Sequence, residues 1–167
     1  MKIVIAPNED YSVKTEALNK KVFLAGGITN CPDWQSELIK LIKNKTYERL
    51  IDPIGEYFPL TLYNPRRENF PIDDPTAAEQ QIVWEYKHLK EADIIVFWFS
   101  RGSDNPIVLY ELGMWGNSGY RNTIIGVDPE YSRKQDVFIQ TWLAKHSIDI
   151  FDNLDDIATN LIIDIKR

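Results

Sequence analysis

The chain is expected to form one α/β domain, a three-layer sandwich built on a mainly parallel sheet. Three observations predict this. Short apolar runs rich in β-branched and aromatic residues, Val22–Ala25, Ile94–Phe99 and Thr123–Val127, alternate with segments of helical apolar spacing, the pattern of a parallel sheet covered on both faces. The 167 residues suffice for one core. No internal repeat, low-complexity tract or linker divides the span 1–167.

Taken in order, Lys2–Ala6 is a short β-type run, and the polar connection 8–21 is expected to hold an extra edge strand or hairpin. Val22–Ala25 reads as a buried strand ending at Gly26-Gly27, and the segment from Pro32 carries Trp34, Leu38, Leu41 and Ile42 at helical spacing. Arg49–Pro53 is a candidate second strand. The stretch from its last residue onward holds Pro53, Pro59, Pro65, Pro71 and Pro75 and is read as a long irregular loop, kept ordered by Tyr57, Phe58, Leu62, Tyr63 and Phe70. Asp74 is the expected N-cap of the next helix, with Pro75 at its first position. Ile82, Val83, Tyr86 and Leu89 form its apolar stripe, while Gln81, Glu85 and His88 share another face with Trp84, either solvated or lining a pocket.

Ile94–Phe99 is a buried strand, and the polar loop 100–106 leads into a buried apolar helix started by Pro106. Between Asn105 and Tyr120 the single charge is Glu111. Thr123–Val127 is a strand, Gln135–Lys145 a helix, Ile148–Phe151 a strand and Leu154–Ile165 a terminal helix.

Composition narrows the function. A net charge of −6 disfavours a nucleic-acid polymer or an anionic membrane as partner, since both select basic surfaces. The apolar run at the amino terminus is short for a signal peptide, and no stretch approaches the ~20 residues of a membrane span, so the cytoplasm is the expected location. Cys31 is the lone cysteine, which leaves no intrachain disulfide and no thiolate metal cage. Neither His88 nor His146 has a serine motif or metal-ligand spacing beside it, and there is neither a GxGxxG nor a Walker lysine. No metal or cofactor is expected.

Carboxylates remain: Glu111 in an apolar helix, Asp104 in the loop before it, Asp93 at a strand start, and Glu85 on the preceding helix. Carboxylate chemistry without metal suits glycosyl transfer, where one carboxylate attacks or stabilises an anomeric carbon and another group handles the leaving-group proton. Glu111 has a plainer explanation, since an acid early in a helix is favoured by the macrodipole. Its neighbours Leu109, Tyr110, Leu112 and Trp115 argue for partial burial, where an unpaired charge is costly.

The segments VFLAGGITNCPDWQ, LYNPRRENF, QQIVWEYKHLKEADIIVFWF and PIVLYELG follow one another over Val22–Gly113 in an order that resembles the nucleoside 2-deoxyribosyltransferase-like family. The resemblance implies a flavodoxin-like five-stranded sheet of order 2-1-3-4-5, besides the extra N-terminal edge strand, with a cleft at the strands' carboxyl ends. It implies transfer of a 2-deoxyribosyl group between nucleobases through a covalent ester on Glu111, in nucleotide salvage, by a homo-oligomer. Carried over by position, Gly26 and Gly27 border the sugar and base and Trp34 shapes the cleft. Asn64 and Arg66 lie on the base side, and Glu85 matches an acidic position at the base. Asp104, or Asn105 beside it, matches a polar position near the sugar hydroxyls or leaving base, so that Asp104 or Glu85 protonates the departing base. Substrates would be small nucleosides or, if Arg66, Arg67 or Arg101 holds a phosphate, nucleotides. If water is the acceptor the site is an N-glycosidase; if the cleft only binds, the protein is a nucleotide sensor.

Overall fold

The computed structural model describes residues 1–9, 19–49, 60–116, 122–144 and 148–165. Within them the chain runs β1 (Lys2–Ile5), β2 (Lys20–Gly26), α1 (Trp34–Arg49), β3 (Leu60–Asn64), α2 (Ala77–Glu91), β4 (Ile94–Phe99), α3 (Pro106–Trp115), β5 (Asn122–Val127), α4 (Lys134–Ala144), β6 (Ile150–Phe151) and α5 (Leu154–Ile165). The strands form one sheet, ordered β1-β3-β2-β4-β5-β6, with every neighbouring pair parallel. Counted from β2, this is the expected order 2-1-3-4-5, and β1 adds an edge strand beside β3. It is therefore a six-stranded rather than a five-stranded sheet.

Side-chain alternation along the central strands builds two cores. Val22 and Leu24 of β2 and Ile94, Val96 and Trp98 of β4 face α1 and α5, meeting Trp34, Leu38, Ile42, Ile157 and Leu161. Phe23, Ala25, Ile95, Phe97 and Phe99 face the opposite layer, meeting Trp84 of α2, Val108 of α3 and Val137 of α4. Both faces of these strands are covered, which is why they read as continuous apolar runs rather than alternating ones.

Several expectations need correction. The second strand of the unit is Leu60–Asn64, inside the stretch read as irregular. Its five residues are all buried between β1 and β2, and Pro65 follows its last residue instead of interrupting it. Arg49 ends α1, and the remainder of the expected strand 49–53 lies outside the described residues, as does most of the 8–21 connection. Helix α2 begins at Ala77, not at Pro75: Asp74 Oδ1 instead accepts from the Thr76 N–H (2.8 Å) and Oγ1 (2.7 Å), shaping the turn before the helix.

Most of the expected apolar stripe of α2 faces outward: Ile82, Val83 and Tyr86 are exposed, Leu89 alone of the four is buried, and Trp84 and His88 of the other face are buried as well. Trp84 decides this, packing against Phe23 and edge-on to Tyr63 while its Nε1 donates to Asn8 O at 2.7 Å. Helix α3 is apolar yet not buried as a whole: Val108 is its buried residue, and Ile107, Tyr110 and Met114 are exposed. In α4, Val137 is inside but Phe138 and Trp142 are exposed, and β6 is two residues long. Among the described residues no helix is long and apolar enough to cross a membrane.

Candidate active site

In an open parallel sheet the loops leaving two adjacent strands toward opposite faces open a crevice at their carboxyl ends. Here those strands are β2, which leads to α1, and β4, which leads to α3 on the other layer. The turn after β2 supplies Gly26 and Gly27, the loop after β4 supplies Ser103 and Asn105, and α2 and α3 supply Glu85 and Glu111. Together these line a cleft of about 350 Å³ floored by Phe23 and Ala25.

The glycine turn is dictated by crowding. A Cβ on Gly27 would overlap Asn105 Oδ1 and come within 2.5 Å of Cys31 Sγ, and one on Gly26 would strike the Trp34 ring and sit 2.7 Å from Trp98 O. Trp34 itself is buried in the opposite core and does not line the cleft; its Nε1 donates to Gly27 O at 3.0 Å and so fixes the turn.

Asn105 is the N-cap of α3 and adopts the left-handed region, φ 48° and ψ 49°, which Asn tolerates better than most residues. Its Nδ2 donates to Ser100 O (2.8 Å) and Ser103 O (2.9 Å), and since both partners only accept, the amide orientation is forced. Oδ1 therefore faces Cys31 Sγ, 3.7 Å away, at the glycine turn. Asp104 is not brought into the cleft. Its carboxylate accepts from Ser132 Oγ at 3.1 Å and its carbonyl from Tyr131 Oη at 2.8 Å, which anchors the loop to the segment after β5.

Asn64 and Arg66 lie behind the cleft wall. Asn64 is buried at the end of β3, its Oδ1 accepting from Arg66 N at 3.0 Å. The Arg66 guanidinium spans the loop before α1, donating to Gln35 Oε1 (2.8 Å) and Pro32 O (3.0 Å) and pairing with Asp33 at 3.3 Å. Its neighbour Pro65 lines the cleft instead. Arg101 turns to Asp128 and Glu130. Among the described residues that line the cleft there is no Lys or Arg.

The electrostatics centre on two acids. Burial, reinforced by the nearby Glu85 charge, pushes the Glu111 carboxyl up to about 8. Glu85 is also raised by burial, opposed by a hydrogen bond from Gln81 and by the Arg67 charge. The cleft thus holds a carboxyl pair that retains a proton at neutral pH. Burial likewise raises the Cys31 thiol, which keeps it from being a thiolate nucleophile. Gln81, expected on the α2 face that is either solvated or lines a pocket, stands beside the cleft and meets Glu85 at 2.7 Å, while Arg67, considered above as a phosphate holder, donates to Gln81 at 2.6 Å.

Compared with known protein families, residues 19–131 match the one described as nucleoside 2-deoxyribosyltransferase like. The chain belongs to this nucleoside 2-deoxyribosyltransferase-like family. No curated protein matches it. The family match runs from the start of β2 through the loop after β5, so every cleft residue named above falls inside it, while α4, β6 and α5 fall outside.

Proposed function

We propose that the protein transfers a 2-deoxyribosyl group between nucleobases by double displacement, with Glu111 as nucleophile. The observation that carries the reading is the carboxyl pair Glu85/Glu111 in a cleft bordered by a glycine turn, within a chain of this family. In the first step a Glu111 oxygen forms a bond to C1′ as the C1′–N bond breaks. The electron pair of that bond stays on the base nitrogen, which takes up the proton held by the pair, through Glu85 or a water. In the second step an incoming base attacks C1′, its N–H proton returns to the pair, and the Glu111 ester is released. Positive charge developing at the anomeric centre is stabilised by the ionised carboxylate of the pair in a poorly solvated site.

The substrate is an unphosphorylated nucleoside. A 5′-phosphate would enter a cleft whose described lining carries two acids and no basic side chain, with Arg66 and Arg101 already engaged elsewhere. Water as acceptor would make the same site an N-glycosidase, so the assay must follow both outcomes.

The working unit is a homodimer. Ile82, Val83 and Tyr86 of α2 and Ile107, Tyr110 and Met114 of α3 are exposed on one side, and Ile107 also lines the cleft. A second copy covering them would narrow the cleft mouth.

The test is to give purified protein a deoxynucleoside and a different free base and to follow exchanged nucleoside and free sugar by chromatography. Intact-mass detection of a deoxyribosyl adduct on Glu111 supports the mechanism; an adduct elsewhere, or no turnover across a nucleoside panel, overturns it.

A further inference from the structure

Gln81 is placed by three contacts that leave it one orientation. Arg67 Nε can only donate, and it donates to Gln81 Oε1 at 2.6 Å. Pro65 O can only accept, and it receives a hydrogen from Gln81 Nε2 at 2.8 Å. The second hydrogen of that nitrogen therefore points to Glu85 Oε1, 2.7 Å away. The amide cannot flip without setting its oxygen against a carbonyl and its nitrogen against a guanidinium. Arg67 is itself steadied over the Phe70 ring, 5.4 Å from its centroid.

We infer that Gln81, backed by Arg67, is a positioning residue that decides which of the two cleft carboxyls keeps the proton: it holds Glu85 as the ionised partner and leaves the proton on Glu111 in the empty site. The inference rests on the transferase reading for its catalytic meaning, although the proton partition itself is a property of the free protein.

The surroundings favour this assignment. Facing the pair are Glu85 with Gln81 from α2, Glu111 from α3, and Arg67 from the chain after β3. The other charged groups nearby are directed away: Arg66 to Asp33, Asp104 to Ser132, and Arg101 to Asp128 and Glu130. Cys31 is a neutral thiol. A donated hydrogen and a cation behind it reach Glu85, whereas burial and the Glu85 charge are the influences acting on Glu111. One carboxyl is thus prepared to be ionised and the other to be neutral. The consequence for catalysis is that Glu111 gives up its proton to the Glu85 side as C1′ becomes positive, and Glu85 relays it to the leaving base.

The experiment is a ¹³C NMR titration of the empty protein labelled at the glutamate carboxyl carbons, with Glu85→Gln and Glu111→Gln supplying the assignments. In the wild type Glu85 ionises first and Glu111 last, near pH 8. In Gln81→Met, similar in length but without a donor, the Glu85 midpoint rises by about one pH unit, as expected for losing a hydrogen bond to a charged group. Arg67→Lys keeps a cation behind Gln81 and moves that midpoint by less. Glu111 ionising first in the wild type, or a Glu85 midpoint unmoved in folded Gln81→Met, overturns the inference. Because the titration needs no substrate, a protein that gives this partition but no base exchange would sink the transferase reading and leave this one standing.

Discussion

Glu111 links stability to activity. Its carboxyl is pushed from an ordinary 4.5 in the unfolded chain to about 8 in the fold, so between those values the folded state binds more protons than the unfolded one. Stability therefore falls as pH rises from about 5 to 8, and the full cost is present above 8. Glu111→Gln removes that cost, and we expect the variant to be more stable at pH 8.5 by up to about 5 kcal/mol, with little difference at pH 5, as read from denaturant melts at both pH values. The same variant loses base exchange by at least ~10³-fold, since an amide cannot form the glycosyl ester. A stability gain at pH 5 as large as at pH 8.5 would show that the carboxyl is not strained in the fold. In the wild type, kcat/KM falls above pH about 8, because the pair then has no proton for the leaving base; a pH profile flat to pH 9 would remove the pair from that role.

The loop from β4 to α3 is the element on which the cleft depends. Asn105 combines a left-handed backbone with two hydrogen bonds donated by its side chain, so Asn105→Ala is expected to cost about 2 kcal/mol in denaturant melts and to weaken nucleoside binding. Gly27→Ala should be at least as damaging, since its Cβ collides with that same side chain; a variant with unchanged stability and activity would mean that the loop yields easily. This loop also shows where sequence reasoning stops. Its place between an apolar strand and a Pro-started helix was legible, as were α5 at Leu154–Ile165 and β4 at Ile94–Phe99. Whether Asp104 or Asn105 enters the cleft was not, because adjacent residues differ by backbone torsion and partner, and Ser132 and Tyr131 lie 28 and 27 residues from Asp104. For the same reason Arg66 read as a ligand group: its partners Asp33 and Gln35 are brought near by sheet pairing, which local spacing does not encode. Helix α2 misled differently, since polar Gln81 and Glu85 occupy the inward face and apolar Ile82 and Val83 the outward one.

At the scale of the whole molecule that inversion has a common cause with the exposed face of α3. The two layers are unequal: on the α1/α5 side Ile163 is the exposed large apolar side chain among the described residues, whereas α2 and α3 together expose Ile82, Val83, Tyr86, Ile107, Tyr110 and Met114. Tyr86 and Trp115, 5.6 Å apart between ring centroids, join the two helices into one surface. Exposed apolar side chains gathered on two adjoining helices are of the kind that mark an interaction site, and a standard interface buries ~800 Å² per partner. We expect a second copy to occupy this face. A twofold contact sets each residue near its own equivalent, so like charges would meet, and the one charge of α3, Glu111, is turned into the cleft. Sedimentation analysis is expected to show a dimer at micromolar protein, and Tyr110→Asp to weaken it at least ~100-fold by placing two buried carboxylates at the contact. Because Ile107 belongs both to that face and to the cleft wall, the dissociated variant should lose activity mainly through a raised KM while keeping its fold. A wild-type protein that sediments as a monomer at ~100 μM would overturn the dimer, since standard interfaces of this area bind well below that concentration.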